Sequence, residues 1–430
     1  MYEKIIGLSI AAFLVVGRWT PSRLVEGFDA SGHYLTEPRL WSIASMLYFT
    51  LLGMLNHWPA TFQGADPIQS TRRWLAVCLL SLFSCMTLSI LWSPAPDLAM
   101  GKFYEVVLIS VACILTCICS LYFDLTEIIN SLWIGLLLFL LLLAAVSLGS
   151  LGSERLAVFG GGPNVFGRNM GLLLLCCMYF QDRWGKAALF LPLAALAVVL
   201  VLLSGSRGAL LSTSIAMLVH FVCSHTHFSK KIIIALSAIL VLGTIVLFTE
   251  VGSAALERFQ HRVVNLTVEQ GYSAGRDLIT DDALNIATRN WAFGYGLAGF
   301  QWKTETYPHN LFLEVLCDVG IVGVVLLGAS LMTVGYLAWN SRHRLNPANM
   351  AALVLFLMFS QFSGDFFDSR SLFIFMLLVA FDNGKRSLRD GRPLELSPSR
   401  VVPLLIKKSL PVLDIRDADI SQLRTSSPTA

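Results

Sequence analysis

Pro308-His309-Asn310 stands directly before a long apolar run and puts an imidazole at the mouth of a membrane-spanning helix. Asn310, Glu314 and Asp318 then recur every four residues, so they line one side of that helix. Carboxylates inside a span face a cavity or pair with arginine, and a histidine beside such a cavity can serve as a general base. Upstream, Gly294, Gly296 and Gly299 make a glycine-rich turn, preceded by a polar segment that carries Arg276 and Arg289. Two other helix starts carry polar motifs of the same kind. Gly160-Gly161-Gly162-Pro163-Asn164 leads to Arg168, and Ser204-Gly205-Ser206 leads to Arg207-Gly208. A helix N-terminus offers free N–H groups and the positive end of the dipole. Glycine lets a backbone approach a ligand closely, and arginine binds phosphate through two parallel hydrogen bonds. The combination predicts a cradle for a strongly anionic ligand with a base beside it.

Each residue also has a plainer role open to it. An arginine at a helix end can snorkel to the interface, and a lone histidine can cap a helix. The Gly-Ser flanks of Arg207 and the carboxylates below His309 tilt both towards chemistry. For Arg168 the structural role leads slightly. Arg276 lies in the polar segment that feeds the glycine turn, which makes it a better functional candidate than Arg289.

The elements that must position these groups are membrane helices. The 430 residues are 55% hydrophobic and 14% charged, against about 25% charged in a soluble domain. Mean hydropathy is +0.68. The expected class is an all-α polytopic membrane protein of about twelve spans. Hydropathy places them at about 4–17, 39–56, 74–92, 103–123, 127–149, 164–181, 186–204, 208–223, 231–249, 310–338, 349–363 and 370–382. The first lacks a cleavage site and reads as an anchor. All nine cysteines fall in apolar spans without a CxxC pair, so neither a disulfide nor a metal site is expected.

Lysine and arginine placement puts both termini in the cytoplasm. Spans six, eight and ten then all begin on the opposite face, and their three polar motifs meet there. The segment 250–309, between spans nine and ten, becomes an extracytoplasmic loop with amphipathic helix in it. Residues 1–384 read as the transmembrane domain, and 385–430, rich in proline, serine and charge, as a solvated cytoplasmic tail.

Ser206-Arg207-Gly208-Ala209-Leu210-Leu211 resembles the SRGALL segment of the bacterial O-antigen ligase and polymerase superfamily. The order Arg276, Gly294 to Phe300, then His309-Asn310-Leu311-Phe312-Leu313-Glu314 with Gly320 and Gly323 is similar to the same family. So is Gly162-Pro163-Asn164 with Gly167, and the resemblance covers about residues 155–328. A proline is usual before the glycine turn, where this chain has Asn290-Trp291-Ala292. The resemblance implies a fold related to lipid-dependent glycosyltransferases of the GT-C type, in the inner membrane, with a periplasmic active site. It implies metal-independent transfer of a glycan from undecaprenyl diphosphate to a hydroxyl, with no cofactor. The acceptor is lipid A-core for a ligase, or a growing O-antigen or exopolysaccharide for a polymerase. His309, Arg207 and Arg276 are then the catalytic candidates. Asn164, Arg168, Asn310, Glu314 and Arg289 are the substrate-binding candidates. The implied partners are membrane lipid and these glycans, not nucleic acid. From another class, a transporter also places charges in the membrane, but its polar sites lie near the midplane and its halves repeat.

The topology has a direct test. A cysteine at Thr306 should react with an impermeant thiol reagent from outside the cell, and one at Asp390 only after the cells are opened. Labelling of the Asp390 position alone would invert the scheme.

Overall fold

Inside hydrocarbon, a chain of leucine, valine, isoleucine and phenylalanine can satisfy its own backbone only as α-helix. The computed structural model describes residues 1–16, 37–56, 67–149, 156–158, 162–185, 187–224, 243–244, 248–261, 264–265, 275–341 and 345–382. Among them the secondary structure is helical without strands. The helices are α1 (Tyr2–Val16), α2 (Pro38–Asn56), α3 (Pro67–Leu88, continued by a 3₁₀ turn Ser89–Trp92), α4 (Pro96–Tyr122) and α5 (Leu125–Leu148). There follow α6 (Pro163–Trp184), α7 (Ala187–Leu203), α8 (Arg207–Cys223), α9 (Glu250–Phe259) and α10 (Arg276–Arg289). The last are α11 (Gly299–Thr304), α12 (Leu311–Ser341), α13 (Pro347–Phe359) and α14 (Arg370–Phe381).

This is a multi-pass membrane protein. Among the described residues, four stretches are long and apolar enough to cross a bilayer: Ser70–Trp92, α4, α5 and α12. Leu189–Leu203, α8 and α13 are shorter apolar helices. Most of the expected ninth span, the pair Gly160-Gly161 and the tail 385–430 lie outside the described residues. α4 begins at Pro96, seven residues before the hydropathy boundary at 103, so it takes Asp97 and Lys102 into the helix.

The three motif-bearing helices α6, α8 and α12 start around one turn, the link between α13 and α14. Leu311 N–H at the head of α12 donates to Ser360 O (2.9 Å). Asn164 Nδ2 at the head of α6 donates to Ser363 Oγ (3.0 Å). At the head of α8, a Cβ on Gly208 would lie 2.8 Å from Phe362 Cβ, so only glycine lets this helix sit against the turn. Asp368 completes the junction with Oδ1 at 3.6 Å from both Arg168 and Arg370. Arg370 reaches on to Phe13 O (3.1 Å) and Leu14 O (2.8 Å), closing the carbonyl end of α1. Phe367 and Phe13 lie over its guanidinium.

The second organising feature is a break in α12 at Gly320, with φ 71° and ψ −160°. The glycine turn fills it. Tyr295 N–H donates to Cys317 O (2.7 Å), Gly296 N–H to Asp318 O (3.0 Å), and Ile321 N–H to Trp291 O (2.8 Å). A Cβ at Gly294 would come within 2.5 Å of the Asp318 backbone, and one at Gly320 within 2.4 Å of Ala292. The sequence suggested that these glycines admit a ligand. Gly294 and Gly296 instead admit other backbone, Gly294 that of α12 and Gly296 that of Ser89 and Ser93.

Removing one member of a buried ion pair costs about 3–5 kcal/mol, because the other charge stays behind. Asp368→Ala should therefore lower thermal stability in detergent far more than Asp97→Ala at the exposed start of α4. Equal melting temperatures would remove Asp368 from its place as a junction.

Candidate functional site

Arg207 is the first residue of α8. Its helix start is fixed by Ser206, whose hydroxyl accepts from Ala209 N–H (3.2 Å), and by Gly205 in the left-handed region (φ 61°). Arg276 likewise opens α10, after Gly275 with φ 76°. His309 has φ 56°, a conformation uncommon for a residue with a side chain, and its ring lies 4.3 Å from that of Tyr307. Asn310 next to it caps α12, its Oδ1 accepting from Phe312 and Leu313 N–H. The strained histidine is thus held between a proline and an anchored helix start, the kind of position at which functional sites store strain.

The folded chain brings these groups within electrostatic range of one another. Burial lowers the pKa of Arg276, and the neighbouring Arg207 lowers it further. The pKa of His309 also falls below its ordinary value, through burial first and then Arg276, with Asp365 opposing. Two guanidiniums that repel each other form a field that an anion relieves. An imidazole with a lowered pKa is neutral at pH 7 and can accept a proton. Asp365, in the turn between α13 and α14, belongs to this cluster.

Other expected site residues have different neighbours. Arg168 is 2% exposed, ion-paired to Asp368 (3.6 Å) and stacked over Phe359 (4.9 Å). Arg289 is exposed at the far end of α10, about 20 Å along the helix from Arg276. Glu314 is buried, and with Asp318 it flanks Lys102, at 2.6 Å and 2.5 Å. Sequence reasoning missed Lys102. Its one signal was a lone cation near the head of an apolar helix, and its partner Asp318 is 216 positions away in sequence.

A cavity of about 890 Å³ opens beside the cluster. One wall is the first part of α4, and Tyr307, Glu314 and Asp365 form the side next to His309. Among the described residues no group of three or more His, Cys, Asp or Glu is placed to hold a metal ion.

Residues 192–328 match the family model described as O-antigen ligase. That range includes Arg207, Arg276, Arg289, His309, Asn310 and Glu314 and leaves out Asn164, Arg168, Lys102 and Asp365. No curated protein matches the chain.

The electrostatics of the cluster can be read without any reaction. Arg276→Gln removes a cation that disfavours imidazolium, so the pKa of His309 should rise, whereas Asp365→Asn should lower it further. Titration of labelled histidines by NMR in detergent, with His309→Gln to assign the resonance, measures both. An unmoved resonance in the two variants would separate His309 from these charges.

Proposed function

Taking the chain as a member of the O-antigen ligase and polymerase superfamily through residues 192–328, we propose that it transfers a glycan from undecaprenyl diphosphate to a sugar hydroxyl. The observation that carries this proposal is the convergence of Arg207, Arg276 and His309 from three separate helix starts. In the proposed reaction the acceptor oxygen attacks the anomeric carbon. The bond from that carbon to the diphosphate oxygen breaks, and the electron pair leaves with the lipid diphosphate. Arg207 and Arg276 hold the charge that develops there, aided by the N-terminal N–H groups of their helices. The acceptor's proton passes to neutral His309, and the carboxylate of Asp365 stabilises the imidazolium that results. The guanidiniums fill the role a metal takes elsewhere, so the proposed transfer is metal-independent.

In this scheme Asn164 and Arg168 act as positioning residues, fixing α6 to the 360–370 turn. Asn310 positions His309 by capping α12, Glu314 faces the acceptor, and Arg289 serves at most the outer approach to the site. The membrane placement we propose is the bacterial inner membrane, with about twelve spans in a GT-C-related arrangement. Both termini are then cytoplasmic, the loop 250–309 and the site periplasmic. The acceptor is lipid A-core if the protein is a ligase, and a growing glycan if it is a polymerase.

The test is transfer from a lipid diphosphate donor by purified protein in EDTA, with each acceptor class in turn. His309→Ala should lose about 10²–10⁴-fold in rate, the usual worth of a positioned general base. Arg207→Lys should also lose most activity, because lysine keeps the charge but not the planar fork. Arg183→Lys, at the exposed end of α6, should keep it. Near-normal turnover by His309→Ala and Arg207→Lys would reduce both residues to helix caps, and rescue of EDTA-treated protein by Mg²⁺ would bring in carboxylate ligands.

A further inference from the structure

The cavity beside His309 differs in charge from the cluster it adjoins. Among the described residues, five acidic side chains line it, from Glu37, Asp97, Glu105, Glu314 and Asp365, against two cations, Arg39 and Lys102. Both cations are already engaged. Arg39 pairs with Glu37 (2.5 Å) and Glu105 (3.4 Å), and Lys102 with Glu314 and the deeper Asp318. The surplus is therefore negative, and a diphosphate would be repelled from this space towards Arg207 and Arg276. Two tyrosines, Tyr104 and Tyr307, and the amide of Gln301 share the wall. Glu314 is 1% exposed, and its Oε2 has no hydrogen-bond partner among the described residues. Lys102 Nζ lies 2.6 Å from the other carboxylate oxygen, Oε1, as an ion pair. A carboxyl group so held, with an acceptor atom unused at a cavity wall, is suited to a hydroxyl donor. Aromatic faces with a few convergent polar groups are the common make-up of a small-molecule pocket.

We propose that this cavity is the acceptor-sugar subsite, that it takes a neutral or amino-bearing sugar, and that it excludes phosphorylated or otherwise acidic ones. The assignment rests on the glycosyltransferase reading of the adjoining cluster. Glu314 receives a hydroxyl of the acceptor, Tyr307 passes the sugar from the cavity to the His309 ring that it touches, and Lys102 is a positioning residue for Glu314. Donor and acceptor thus enter spaces of opposite charge. The sorting needs no contact with the identity of either glycan.

Leu98 lines the cavity and is 43% exposed, so Leu98→Cys reports on it without disturbing the core. In the full-length protein in nanodiscs, a cationic methanethiosulfonate should modify this cysteine about tenfold faster than an anionic one of equal size. The parent chain corrects for its own cysteines. Equal rates, or faster reaction with the anion, would overturn the charge selection. In the transfer assay, the bulky adduct at this position should raise the acceptor KM about tenfold and leave the donor KM alone, as one lost polar contact does. Glu314→Gln should do the same, while Arg207→Gln should act on the donor. A rise confined to the donor KM, or no rise, would remove the acceptor assignment. If the parent chain shows no transfer at all, the enzyme reading fails, and the acceptor assignment falls with it. The modification rates then still decide the sign of the cavity.

Discussion

The charge of Asp368 between Arg168 and Arg370 is the interaction on which the rest of the architecture depends. Each guanidinium is at most 2% exposed, and no solvent is at hand to take over from the carboxylate. Arg370 carries the junction to the end of α1, Arg168 carries it to the second turn of α6, and the turn itself receives the head of α12 through Ser360. A buried ion pair is weak evidence for stability, since desolvation opposes the attraction. Its use here is registration. Few arrangements of these helices satisfy three buried charges together, and those few place the heads of α6, α8 and α12 at one level.

The break in α12 works alongside this junction. An unbroken helix would leave the carbonyls of Cys317 and Asp318 closed to outsiders. With Gly320 out of helical geometry they accept from the glycine turn, which ties the loop bearing α10 to the membrane domain. Arg276 begins that loop's helix, so the tie also sets where its guanidinium stands relative to Arg207. Backbone bonds between two irregular segments are tolerable at this depth because the protein, not lipid, surrounds them.

Electrostatic zoning follows from these constraints. The guanidiniums at the heads of α8 and α10 make one positive region, and the acidic side chains that line the cavity beside Tyr307 make a negative one. The proton affinity of the His309 imidazole is lowered by burial and then by Arg276, and partly restored by Asp365. In the proposed transfer, His309 would meet an anionic donor on the side of the guanidiniums and a hydroxyl on the side of the cavity.

Composition and hydropathy alone determined the helical membrane class, because apolar runs of this length have no other stable form in a bilayer. The spacing of motifs at helix starts also marked Arg207, Arg276 and His309 as candidates, since an arginine or a histidine at the edge of hydrocarbon is costly unless it has a partner or a cavity. Their partners were not legible. Asp365 and Lys102 lie in segments with no local pattern, and contact with a residue some 50 or 200 positions away leaves no trace in periodicity. The same limit explains Arg168 and the glycine turn. Both had the composition of a ligand site, and only tertiary packing decided that Asp368 would meet the arginine and that the backbones of α12 and of Ser89 to Ser93 would meet the glycines. Residue type sets what a group can bind, whereas the fold sets which of the possible partners arrives first.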